Sequence, residues 1–60
     1  MDHREPERLY TPREAAAILS LTVATVRRHC RTGVIRAVRL GPRGHYRIPE
    51  SALTTYEETS

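Results

Sequence analysis

Lysine, phenylalanine and tryptophan are missing from this 60-residue sequence, cysteine occurs once, and neither Asp nor Glu appears between Ala15 and Pro49. Each gap excludes something. One cysteine cannot close an internal disulfide, so this is not a small secreted scaffold held by cross-links. With only three tyrosines as aromatics, little platform remains for stacking unpaired RNA bases. No apolar stretch approaches the roughly 20 residues that cross a bilayer, and Met1 to Arg8 is charged where a signal peptide is apolar. A cytoplasmic location without a membrane partner is expected. Repeats and low-complexity tracts are also missing.

Catalytic constellations are lacking too. No paired carboxylates stand in an apolar setting, and the serines have no nearby base and orienting acid, so an enzyme is not expected. Cys30 lies between His29 and Arg31, which is not a metal-ligand spacing, and it reads as a small core hydrophobe. Neither metal nor cofactor is expected. A chain this short buries only about 60% of its unfolded surface, which means one domain, a small core and no deep active site.

What the sequence does hold is concentrated charge. Arg27, Arg28, Arg31, Arg36, Arg39, Arg43 and Arg47 occupy the acid-free stretch together with His29 and His45. The formal charge of +3 and pI of about 9.8 understate this asymmetry, because the acids sit toward the two ends. A local positive field of this kind is the electrostatic footprint of a nucleic-acid binder. It also suits a basic protein-interaction module, an adaptor or inhibitor with an acidic partner. Arginine at every basic position favours forked donors suited to phosphate and guanine, although biased codon usage gives the same composition.

The local pattern predicts a mainly α chain with a small β-hairpin. Residues 1–9 carry alternating charges and Pro6 without periodicity and read as a flexible arm; residues 10–57 form the domain and 58–60 a tail. Thr11-Pro12-Arg13-Glu14 is a capping box with proline at the first helical position, opening a first helix whose buried stripe is Ala15, Ile18 and Leu19. Ser20 and Leu21 form a short link. Thr22 caps a second helix, with Leu21 able to pack on Val26 as a staple, and Gly33 ends it, giving Val23 to Thr32. Val34 to Leu40 then alternates, Gly41 to Gly44 turns, and His45 to Ile48 returns as a second strand. Pro49 reads as a helix-start residue, before a third helix with Ala52, Leu53 and Tyr56 on one face and the acidic pair Glu57-Glu58 at its end.

On a helical wheel Val23, Val26 and Cys30 fall together, and Ala24, Thr25, Arg28, Arg31 and Thr32 lie opposite. An α-helix fits the DNA major groove, where residues near its N-terminus reach base edges and later ones meet backbone. Thr25 and Arg28 are therefore the base-edge candidates, with Ala24 permitting close approach, and Arg27 and Arg31 the phosphate candidates. Thr22 belongs to this set by position, although capping alone explains it. His29 borders the buried side and reads as a packed histidine. In the hairpin, Arg43 at the tip with His45 and Arg47 on one face can reach a minor groove or backbone, and Arg39 adds to the same cationic surface. Tyr46 shares a face with Ile48 and is either core or a phosphate contact. Gly41 and Gly44 serve the turn, since they lack the strand–loop–helix setting of a phosphate loop.

Thr25-Val26-Arg27-Arg28 through Gly33-Val34-Ile35 resembles the signature of MerR-type winged helix-turn-helix proteins. The opening Tyr10-Thr11-Pro12-Arg13-Glu14-Ala15-Ala16 and the closing Tyr46-Arg47-Ile48-Pro49 are closer still to the shorter excisionase subfamily. The resemblance runs from about Leu9 to Tyr56. It implies a winged helix-turn-helix fold, with helix two in the major groove of double-stranded DNA through Thr25, Arg27 and Arg28. It further implies a wing at the adjacent minor groove or backbone through Arg43, His45 and Arg47. For an excisionase, or recombination directionality factor, it implies repeated sites, head-to-tail self-association on DNA, bending, and help to an integrase in excision. A small MerR-like transcription regulator would use the same surface. The sequence departs from MerR regulators in ending soon after Tyr56, without the long dimerisation helix, and in a wing one residue longer between Arg43 and Tyr46.

Overall fold

The computed structural model describes residues 7–43 and 45–59. Its elements are β1 (Leu9–Tyr10), α1 (Pro12–Leu19), α2 (Val23–Thr32), β2 (Val38–Leu40), β3 (His45–Pro49) and α3 (Glu50–Thr59). The strands form one antiparallel sheet in the order β1-β3-β2. With α1 and α2 joined by a tight turn and β2 and β3 by a hairpin, this is a winged helix-turn-helix.

Local chemistry accounts for both leading helices. Thr11 Oγ1 accepts the Glu14 amide at 3.1 Å while Glu14 Oε1 accepts the Thr11 amide at 2.9 Å, closing the expected capping box. The link to α2 costs strain. Ser20 takes the left-handed conformation (φ 60°, ψ 42°), and its amide and that of Leu21 both turn back to the Ala16 carbonyl. Gly33, at φ 88°, ends α2 at the expected residue.

The core joins Ala15 and Ala16 of α1, Val26 of α2, Ile35, Ile48 of β3, and Ala52 and Leu53 of α3. Here the expected stripe of α1 needs correction, because Ile18 is 46% exposed. Pro12, Ala15, Ala16 and half-buried Leu19 make the inward face instead. At 100° per residue, Ile18 points about 110° away from the centre of that face. The alanines face inward because α1 packs against α2, α3 and β3 together, and small side chains let all three approach.

Two further expectations are revised. The first strand of the hairpin, β2, starts at Val38, not Val34, because Ile35 is 1% exposed and its amide bonds the His29 carbonyl at 3.1 Å, tying this segment to the end of α2. Pro49 closes β3 rather than opening the last helix, and α3 runs through Glu57 and Glu58 to Thr59, so the tail expected at 58–60 is helical over its first two residues.

The arm is corrected at its inner end; residues 1–6 lie outside the described residues. Leu9 pairs with Pro49 and Tyr10 with Ile48. The Arg8 carbonyl accepts the Glu50 amide at 3.1 Å, and Glu7 Oε1 accepts the Ser51 amide at 2.8 Å. Residues 7–10 therefore cap α3 and extend the sheet, while the Arg8 guanidinium lies 4.9 Å from the centre of the Tyr10 ring. A carboxylate on helix-start amides satisfies donors that no intrahelical carbonyl can reach and opposes the helix dipole favourably.

Two stability outcomes are expected. Ser20→Gly removes a left-handed cost of roughly 1–2 kcal/mol against a glycine entropy cost of roughly 0.5–1 kcal/mol, so thermal unfolding should shift upward by a few degrees. Glu7→Ala should lower stability by about 0.5–2 kcal/mol, as loss of a helix cap does, and Glu7→Gln, which keeps an acceptor oxygen, should lose less in denaturant titration.

Candidate nucleic-acid interface

At the start of α2, Thr22 Oγ1 accepts the Thr25 amide at 3.1 Å and donates its own proton to Thr25 Oγ1 at 2.9 Å. Thr22 is thus occupied with the helix start. Thr25 is half-buried, and because its oxygen accepts from Thr22, its own O–H is what it offers a ligand. Further along, Val26 is fully buried and Val23 and Cys30 are half-buried against the core, while Ala24, Arg27, Arg28, Arg31 and Thr32 are exposed. The division into an inward and an outward side follows the wheel, and Arg27 at its edge falls on the outward side.

Two polar residues of α2 look inward. His29 is half-buried, its ring centre 5.6 Å from that of Tyr56 on α3, with Nε2 and the tyrosine oxygen 3.5 Å apart. This histidine packs two helices together. Burial raises the pKa of the Cys30 thiol, keeping it neutral. Among the described residues, no group of three or more His, Cys, Asp or Glu side chains could hold a metal ion.

The hairpin is set by its register. Val38 stands opposite Arg47, Arg39 opposite Tyr46, and Leu40 opposite His45. Opposed residues of an antiparallel pair share a face. His45 and Arg47 therefore project together, flanked by exposed Val38 and Leu40, while Arg39 lies on the other face with Tyr46. Arg43 is exposed in the turn after Gly41, which adopts φ 72°. Arg47 is half-buried, its Nη1 donating to the Tyr46 carbonyl at 2.8 Å, so its guanidinium is held rather than loose.

These elements meet along one open groove of about 340 Å³, lined by Thr11, Pro12 and Arg13 from the start of α1, Val23 and Arg27 from α2, and His45, Tyr46 and Arg47 from β3. Of the candidate residues, the groove gathers Arg27, His45 and Arg47. Ala24, Thr25, Arg28 and Arg31 remain on α2, and Arg39 and Arg43 on the hairpin, outside its lining. The sequence reading missed Arg13 as a candidate, because it lies beside the capping box and outside the acid-free stretch. Tyr46 was divided between core and surface; it is half-buried and lines the groove.

No helix of the described residues is long and apolar enough to cross a membrane. A comparison with curated proteins gives no match. The family model of the helix-turn-helix domain matches residues 9–59, nearly the whole chain. With its two N-capped helices, its tight turn and its basic hairpin, the chain belongs to the helix-turn-helix domain family, and it binds double-stranded DNA in a sequence-specific manner.

Proposed function

We propose that this chain is a non-catalytic, excisionase-type recombination factor that enters the major groove with α2 and the adjacent minor groove or backbone with the β2–β3 hairpin. The observation that carries the reading is the groove itself: Arg27 of α2 and His45 and Arg47 of β3 line a single surface. Thr25 and Arg28 meet base edges, and Ala24 allows the helix to come close. Arg27, Arg31 and Arg39 meet phosphates, and Thr22 holds the helix start in position. Arg43, His45 and Arg47 serve the hairpin's contact.

A single small module buries roughly 600–1,000 Å² on DNA, which is little for selective binding, so several copies on adjacent sites are part of the reading. The acidic end of α3, opposite in charge to the α2 and hairpin surface, supplies the head-to-tail contact between copies. Bending of the repeated site then assists an integrase in the cytoplasm of the host of a phage or other mobile element.

Two outcomes test this. Arg28→Ala should cost about 1–3 kcal/mol on the preferred duplex and relax base preference at one position, whereas Arg31→Ala should weaken preferred and random duplexes alike, as read by competition binding. Equal losses on both duplexes for both variants would remove the groove assignment. In a cell carrying the element and its integrase, deletion of this chain should abolish excision. Excision at the undiminished rate with altered transcription nearby would instead make the chain a regulator of the same fold.

A further inference from the structure

We infer that the groove between α1, α2 and β3 is a preformed seat for one phosphodiester of the DNA backbone, with Arg13 of α1 as a ligand alongside Arg27 and Arg47. The inference rests on the proposed placement of α2 and the hairpin and adds to it a residue and a helix that the placement does not require.

Arg13, Arg27 and Arg47, from three separate elements, line this groove together with His45 and Tyr46, and no carboxylate is among its lining residues. The nearest acid in sequence, Glu14, has its carboxylate turned to the Thr11 amide at 2.9 Å. Like charges bordering one groove whose lining residues include no carboxylate repel one another, and an anion in the groove relieves that repulsion. Arg47 is already oriented by its bond to the Tyr46 carbonyl, so less side-chain freedom is lost when the anion arrives. Arg13 is carried on the first turn of a helix fixed by its capping box.

Geometry selects the DNA backbone as the source of the anion. In a duplex, one phosphate strand separates the major groove from the neighbouring minor groove. A protein with α2 in the first and a hairpin in the second has that strand running between them, and this groove lies between Arg27 of α2 and His45 of β3.

The test compares wild type with Arg13→Gln and Arg13→Lys on one duplex across a salt series, with circular dichroism to confirm the fold. Wild type should show a log–log salt slope near −4 or steeper, for about four or more neutralised phosphates. Arg13→Gln should bind about three- to tenfold more weakly, with a slope shallower by about 0.9 and base preference unchanged, and Arg13→Lys should keep the wild-type slope. A neutral methylphosphonate placed along the strand between the two grooves should weaken wild type at one position and leave Arg13→Gln with little more to lose. An unchanged slope for Arg13→Gln, while Arg28→Ala still relaxes base preference, would overturn the phosphate seat alone. A wild type that shows no salt-dependent duplex binding would overturn the DNA reading and the seat together. In DNA-free protein, saturable shifts of the Arg13 side-chain resonance with inorganic phosphate, joined to intact duplex binding by Arg13→Gln, would overturn the backbone as ligand in favour of a free phosphate.

Discussion

Ala15 and Ala16 are 0% and 5% exposed, and the arrangement of every other element depends on how little space they fill. On their side of α1 the recognition helix, the central strand and the last helix all come to rest. Larger side chains there would hold α2 or β3 away, and a groove bounded by Arg13, Arg27 and Arg47 exists only because those elements are close. The core is otherwise small, seven residues with Val26, Ile35 and Ile48 as its largest fully buried side chains. In a chain of this size, where buried area barely exceeds what folding costs, each cap and each turn has weight.

Among the described residues, two acids serve as caps and Glu57 and Glu58 lie in the last turns of α3. Glu14 closes the start of α1, and Glu7, 44 positions distant in sequence from Ser51, closes the start of α3. Both satisfy backbone donors at helix starts. The groove lined by Arg13, Arg27 and Arg47 has no carboxylate among its lining residues. Such a surface is unfavourable in isolation and favourable once an anion supplies the missing charge.

What was legible in the sequence was local. The capping box at Thr11 and Glu14, the cap at Thr22, the glycine after Thr32 and the turn at Gly41 each declare themselves within four residues, and the elements they bound came out at those places. Contacts made across the chain left no such mark. Two residues, Leu9 and Tyr10, are too few to show strand alternation, and only pairing with β3 makes them one. Nothing near Glu7 signals that it will cap a helix beginning at Glu50. The i, i+3, i+4 spacing of Ala15, Ile18 and Leu19 points Ile18 inward, whereas the packed face is centred on Ala15 and Ala16 and leaves Ile18 46% exposed. Arg13 carries no local sign of its place in the groove, because that surface is formed by three elements that only tertiary packing brings side by side.

The end of α3 shows how the same charges give the surface a direction. Glu57 and Glu58 lie in the last turns of a helix with no basic residue there, so they add to the negative end of its dipole rather than offset it. That arrangement costs α3 stability, and the contact of Tyr56 with His29 places it toward the C-terminal half of α2. Negative charge there repels phosphate, while Arg13, Arg27 and Arg47 attract it beside the N-terminal half, where Val23 also lines the groove. On the proposed reading, the repulsion at the end of α3 and the attraction beside the start of α2 favour a pose in which Ala24, Thr25 and Arg28 face the bases and Arg31 stays at the backbone, as a short recognition helix presents its first turns to the major groove.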